Sequence, residues 1–301
     1  MKLLVQPDDG IAPLLKAVRG ATDSIRIVIF RFDLPELEEA LAKAVARGVP
    51  VHALIANTNR GGEKRLRKLE QRLLESGVKV ARTADDLARY HGKVLIADKT
   101  LFVLGFNYTR LDIERSRSFG VVAADGRLVK AAVDLIESDA NRQPYTPSDD
   151  RLVVSPENAR EVLEKFISGA KKTLSIYEMN LGDRRMLKLL QERLKSGVEV
   201  RVIGKAPKLP EGIGLRKMAK FRLHSRAIVR DGSRAFVGSQ SLRRNELDNR
   251  REVGVIITDS RIAGRIQKVF DEDWDNAKPK QEVEVPEPAG KSKRNLTLVA
   301  S

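Results

Sequence analysis

The chain has 301 residues, 42% hydrophobic and 32% charged, enough to bury one large core or two ordinary ones. It contains no cysteine, which removes disulfides, thiolate nucleophiles and thiolate metal ligands. A net charge of +15 draws it toward polyanions, either nucleic acid or an anionic membrane surface, while an aromatic content of 5% disfavours a binder that stacks single-stranded bases.

The N-terminus, MKLLVQPDDG, starts as a strand but soon turns acidic and lacks a signal-peptide core. No apolar run approaches the roughly 20 residues that span a bilayer. With the absence of cysteine, these features point to the cytoplasm. From Lys2 to Leu54 the pattern predicts strand, helix, strand, helix, strand, with Gly48 placed as a left-handed helix C-cap. GGEKRLRKLEQRLLESG follows as an amphipathic helix. Its basic run, Lys64–Arg72, is interleaved with acids and suits a solvated face. YHGKVLIAD then reads as a strand leading into a hairpin turn at Asp98-Lys99-Thr100, SFGVVAAD as a further strand, and GRLVKAAVDLIESDAN as a closing helix.

After a Pro-containing link, RQPYTPSDD, the same order begins again. Lys2–Leu54 aligns with Arg151–Ile203 without a gap at a constant offset of 149, pairing KLLVQP with RLVVSP and Gly48 with Gly197. The second half lacks the amphipathic helix, so the offset falls to 133, where YHGKVLIAD meets LHSRAIVRD. The turn after it is one residue longer, and SFGVVAAD then meets EVGVIITD. The organisation is a repeat over 1–141, a linker over 142–150, a second repeat over 151–276 and a charged tail over 277–301 that is expected to be disordered. The predicted class is α/β: two duplicated repeats, each a mixed, mostly parallel sheet flanked by helices, packed about a pseudo-twofold axis.

The duplication singles out its histidines. His52 aligns with Arg201, so nothing specific to histidine repeats there, and it reads as a strand or surface residue. His91, Lys93 and Asp98 align with His224, Arg226 and Asp231, so the whole spacing recurs. Side chains two apart on a strand share a face, so each imidazole has a cation beside it. Packing the halves about a twofold axis would bring both pairs to one pocket. Asp98 and Asp231 stand at hairpin turns, where forming the turn or fixing a neighbouring loop explains them as well as direct catalysis does.

These segments resemble the phospholipase D superfamily. His91-Gly92-Lys93 with Asp98 and Gly105-Phe106-Asn107 is similar to one copy of its H-x-K-x4-D motif and downstream element. His224-Ser225-Arg226 with Asp231, Gly238-Ser239-Gln240-Ser241 and NRREVGV is similar to the other. The chain departs from the pattern at Arg226 (for Lys), Leu104-Gly105 (for Gly-Ser), Ser241 (for Asn) and Ser118, which stands where the second half has Glu252.

The resemblance implies phosphodiester cleavage with no metal or other cofactor, in a site complete within one chain. One imidazole attacks phosphorus, the other serves the leaving group, and Lys93 and Arg226 clamp the non-bridging oxygens, helped by Asn107, Ser239 and Ser241. Glu252, in the place of the family's backing carboxylate, would make His224 the general acid/base and leave His91 as the nucleophile, although Asp112 or Glu114 could reach His91 instead. The implied substrate is a phospholipid, by hydrolysis or transphosphatidylation and with peripheral contact to an anionic membrane. The alternatives are a nuclease and an inactive basic module that binds nucleic acid or membrane. Basic runs at Arg216–Arg226 and Arg243–Arg251 suit nucleic acid and anionic headgroups equally.

Overall fold

A computed structural model describes residues 1–57, 63–207 and 209–279. The first half runs β1 (Lys2–Gln6), α1 (Ala12–Gly20), β2 (Ile25–Ile29), α2 (Pro35–Ala46), β3 (Val51–Ile55), α3 (Glu63–Glu75), β4 (Lys79–Arg82), β5 (Arg89–Tyr90), β6 (Val94–Ala97), β7 (Thr100–Leu104), α4 (Arg110–Glu114), β8 (Ser116–Ala123) and α5 (Gly126–Ala140). The second runs β9 (Leu152–Ser155), α6 (Ala159–Ser168), β10 (Thr173–Glu178), α7 (Arg184–Lys195), β11 (Glu199–Gly204), β12 (Gly214–Lys217), β13 (Arg222–Leu223), β14 (Ala227–Arg230), β15 (Arg234–Gly238), α8 (Arg244–Asp248), β16 (Arg250–Ile257), α9 (Ser260–Asp275) and β17 (Lys278–Pro279).

Local chemistry sets the boundaries. Gly48 and Gly197 take φ of 86° and 84° at the helix ends predicted for them, a conformation that costs glycine little. Asp125, Asp183 and Asp259 cap α5, α7 and α9 by accepting from backbone N–H groups of the first turn. In α3, Leu66, Leu69 and Leu73 are buried while Arg65 and Lys68 are exposed, so much of the first basic run is a wet helix face. The predicted start of that helix, Gly61-Gly62, lies outside the described residues.

Each sheet is mixed. In the first, β2, β3 and β4 run parallel, while β6, β7, β8 and β1 continue antiparallel. The second repeats this with β10, β11 and β12 parallel and β14, β15, β16 and β9 antiparallel. Alternate residues of β2 serve different cores. Ile25, Ile27 and Ile29 pack in a cluster with α1 and α2, whereas Val28 joins a central cluster shared by both sheets, α5 and α9. Burial of both faces explains the apolar run IVIF that follows Arg26.

The halves close tightly on each other. A Cβ on Gly105 would lie 2.9 Å from the Phe119 carbonyl oxygen and 3.2 Å from that of Gly238 in the other half. Two buried clusters repeat the symmetry. Arg117 pairs with Asp273, which also accepts from the Tyr177 hydroxyl, and Arg251 pairs with Asp139, which accepts from the Tyr90 hydroxyl.

Two features correct the sequence reading. Residues 277–279, expected to open the disordered tail, are ordered: Ala277 is buried, and β17 pairs antiparallel with β12. The remaining tail lies outside the described residues. More consequentially, each half gives a short strand to the other. β5 pairs parallel with β16, and β13 pairs parallel with β8.

Candidate active site

The exchanged strands place the histidines. His91 continues β5, and its N–H donates to the Arg251 carbonyl at 2.7 Å; His224 continues β13, and its N–H donates to the Arg117 carbonyl at 3.2 Å. Each histidine therefore lies along the strand of the opposite half that leads into its closing helix, β16 for His91 and β8 for His224. His91 comes beside Glu252, with Nδ1 2.7 Å from Oε2. His224 comes beside Asp112, with Nδ1 3.0 Å from Oδ2. Both rings and both carboxylates are buried.

The expected partnership of Glu252 with His224 is thus corrected: Glu252 backs His91. Exchange of the strands moves each imidazole to the neighbouring sheet, and the family spacing does not record which sheet that is. Asp112 backs His224 rather than His91, and Glu114 instead pairs with Arg110 on its own helix. The two carboxylates come from non-equivalent positions. At the local offset of 134, Asp112 corresponds to Glu246 and Glu252 to Ser118. Glu246 is occupied by Arg250 at 2.8 Å, and Ser118 is buried without a hydroxyl partner among the described residues.

The surroundings of the two imidazoles differ. Asp112 accepts from both the backbone N–H and the side-chain amide of Asn107, at 2.9 and 2.6 Å, and from Arg222 at 2.7 Å. Burial opposes ionisation of Asp112, but the contact and charge of His224 and the Asn107 donors outweigh it and hold the carboxyl low. Glu252 moves the other way, raised by burial despite Lys93 and Arg226. His91 is pushed well down by burial and then by the charges of Lys93, Arg226, His224 and Arg250. His224 is lowered by burial to about 4, with Asp112 opposing the fall. The charges of Lys93, Arg226 and His224 all act on His91, and those of Arg226 and Lys93 on His224, as neighbours in one site would.

Lys93 is fully buried and donates to the His91 carbonyl at 2.6 Å. Burial lowers its pKa well below the ordinary lysine value, and Arg226 adds to this while Glu252 and Asp112 resist it. Phe30 closes one side, with its ring edge-on to His91 at 4.5 Å and Arg31, Arg89 and Lys93 over it at 5.3–5.7 Å. Its equivalent in the second half is Met179. Arg226 donates from Nε to the Ser241 hydroxyl at 3.2 Å, and its Nη1 has no partner among the described residues.

The remaining expected residues fall into two groups. The Ser239 hydroxyl accepts from the Val253 N–H at 3.0 Å and faces the Val253 carbonyl at 3.3 Å, so it ties strands together. The Asn107 side-chain oxygen is buried and has no hydrogen-bond partner among the described residues. Asp98 and Asp231 sit away from this cluster, each with φ just above 50°. Asp98 accepts from the N–H groups of Thr22, Asp23 and Ser24, and Asp231 from those of Lys171, Lys172 and Thr173. They hold loops. The sequence reading missed Glu178, a fully buried carboxylate at the end of β10, where an acid closing an apolar strand was the available signal.

Two imidazoles backed by buried carboxylates, with two cations, on a duplicated mixed-sheet scaffold define a phospholipase D-like centre. The family model described as "Cardiolipin synthase, PLD-like domain" matches residues 14–140 and 163–274, and the chain belongs to that phospholipase D-like family. No curated protein matches the sequence.

Among solved structures, the chain is similar to polyphosphate kinase from Porphyromonas gingivalis, with 18% identity and a TM-score of 0.77 over 91% of this chain and 47% of that one. It therefore spans about half the length of that relative. Phosphatidylserine synthase from Haemophilus influenzae Rd KW20 matches with 12% identity and a TM-score of 0.72, over 93% of this chain and 87% of that one. Nuc from Salmonella typhimurium, a phospholipase D family member, aligns at 23% identity with 49% of this chain and 97% of its own, with a TM-score of 0.43. At these identities the first two likenesses establish the fold. Among the described residues no helix is long and apolar enough to cross a membrane.

Proposed function

We propose that the chain cleaves a phosphodiester through a phosphohistidine on His91 and that its substrate is a phospholipid, cleaved by hydrolysis or by transfer to an acceptor alcohol. The observation that carries this reading is the unequal backing of the two imidazoles. His224 faces a firmly ionised Asp112, which favours the protonated ring, whereas His91 faces Glu252, whose own ionisation burial disfavours. The roles expected from sequence are kept, with Asp112 in the place intended for Glu252.

In the first step His91 Nε2 attacks phosphorus, the bond to the leaving oxygen breaks, and His224 gives that oxygen its proton. In the second, His224 takes a proton from water or an alcohol, whose oxygen displaces His91. Lys93 and Arg226 neutralise the non-bridging oxygens in both. Phosphatidylcholine, phosphatidylglycerol and single- and double-stranded DNA, assayed in parallel with EDTA present, test the reading. Lipid turnover abolished by His91→Ala supports it, and a phosphoenzyme trapped on His224 in the wild type overturns the assignment of roles.

A specific observation favours a nuclease as the second reading. Arg31, Arg89, Arg222 and Arg243 all lie within two residues of Phe30, His91, His224 or Ser241. The exposed large hydrophobic side chains among the described residues are Met1, Leu74 and Leu111, with only Leu111 adjacent in sequence to a site residue. DNA cleavage without lipid turnover would select it.

A further inference from the structure

The halves bring unlike cations to the site, and the difference extends behind them. At the offset of 149, Glu178 stands where the first half has Ile29. Glu178 is 1% exposed and held by two backbone donors, Leu242 N–H to Oε2 at 2.7 Å and Asn180 N–H to Oε1 at 3.0 Å. Its neighbour across β10 and β11 is Gly204, so close that a Cβ there would lie 1.7 Å from the Glu178 carbonyl oxygen. The carboxylate has little freedom. Burial pushes the Glu178 carboxyl up, and the two N–H groups, the Arg226 charge and the Ser241 hydroxyl resist that. Ser241 accepts from Arg226 Nε at 3.2 Å, and the N–H of the next residue, Leu242, donates to Glu178 Oε2 at 2.7 Å, so one short segment links the carboxylate to the guanidinium. The first half is built differently: Lys93 turns its Nζ to the His91 carbonyl, and Asn107, in the place of Ser241, is bonded to Asp112.

We infer that Glu178 is the positioning residue for Arg226. Through Ser241 it fixes the guanidinium with its unpartnered Nη1 toward the phosphorus-bound oxygens, so that glutamate at 178 and arginine at 226 form a matched pair replacing the isoleucine and lysine of the first half. The inference rests on reading this site as one that cleaves phosphodiesters. A planar guanidinium gains from a fixed orientation because its donors point in set directions, whereas an ammonium is a compact point charge. Lysine at 226 beside an unchanged Glu178 would be drawn onto the carboxylate and away from substrate.

The test compares four proteins: wild type, Glu178→Ile, Arg226→Lys and the double variant that copies the first half. Hydrolysis of bis(p-nitrophenyl) phosphate is expected to fall about tenfold or more in kcat/KM in each single variant, with the double variant faster than either. Losses that simply multiply in the double variant overturn the pairing. Inorganic phosphate affinity, read by calorimetry on the same proteins, should show the same reversal. A wild type that binds phosphate without turning over the diester removes the catalytic reading, and the phosphate affinities then decide the pairing by themselves. Should Glu178→Ile not fold, Glu178→Gln keeps the size and removes the charge. It is expected to raise KM and weaken phosphate binding, with Arg226→Lys recovering part of both; no change in either quantity overturns the inference.

Discussion

Asp112→Asn separates the two imidazoles experimentally. The Asp112 carboxylate lies 3.0 Å from His224 Nδ1. At an effective dielectric of about 20, unit charges about 3 Å apart attract by on the order of 5 kcal/mol, an upper figure before desolvation is set against it. Asparagine removes that attraction, and Arg222 loses its carboxylate partner, so His224 loses its hold on a proton. A general acid contributes about 10²–10⁴ in rate, and the variant should lose that much on a substrate with an alkyl leaving group. With p-nitrophenolate, which departs without a proton, the first step should be nearly spared and phosphohistidine should accumulate on His91. The assay is single-turnover kinetics on two diesters that differ only in leaving group, with mass spectrometry of the quenched enzyme. Equal losses on both esters, or none on the alkyl ester, would refute the assignment of His224 as acid.

Four other outcomes follow from the same geometry. In the substrate-free protein, between its ordinary pKa near 6.5 and its folded value of about 4, His224 is protonated only in the unfolded chain; in the reacting complex the anionic phosphodiester adds the negative charge that lets the ring carry its proton. Stability should therefore fall as pH drops through that window, by about 3 kcal/mol in all, and His224→Gln should flatten the urea-midpoint profile between pH 7 and 4.5. Asp273→Ala strips a buried partner from Arg117 and Tyr177 and should cost about 3–5 kcal/mol in urea denaturation. Asp134→Ala, at the exposed pair with Lys130, should change stability by less than about 1 kcal/mol. Asp98→Ala releases the loop at Thr22–Ser24 and should cost about 1–2 kcal/mol while leaving kcat unchanged, since Asp98 lies outside the catalytic cluster; a large fall in kcat at full folding would contradict its loop-holding role.

Local and repeated information was legible in the sequence. The 149-residue offset exposed the duplication because both halves must solve the same strand and helix packing, and Gly48 and Gly197 marked helix ends because only certain residues take positive φ cheaply. The H-x-[KR] spacing put imidazole and cation on one strand face because the strand period is two. Asp98 and Asp231 were readable as turn residues for the same kind of local reason. What spacing cannot carry is which sheet a two-residue strand joins. Arg89–Tyr90 and Arg222–Leu223 are too short to announce a partner, and their hydrogen bonds are made to residues more than a hundred positions away. That exchange decided that Glu252 serves His91 and Asp112 serves His224. Glu178 was hidden for a related reason, since an acid at a strand end is ordinary until tertiary packing buries it beside Arg226. The sequence determined the parts and their twofold repetition, and the tertiary structure decided which charges meet, because charges separated along the chain interact only once the fold removes water and distance between them.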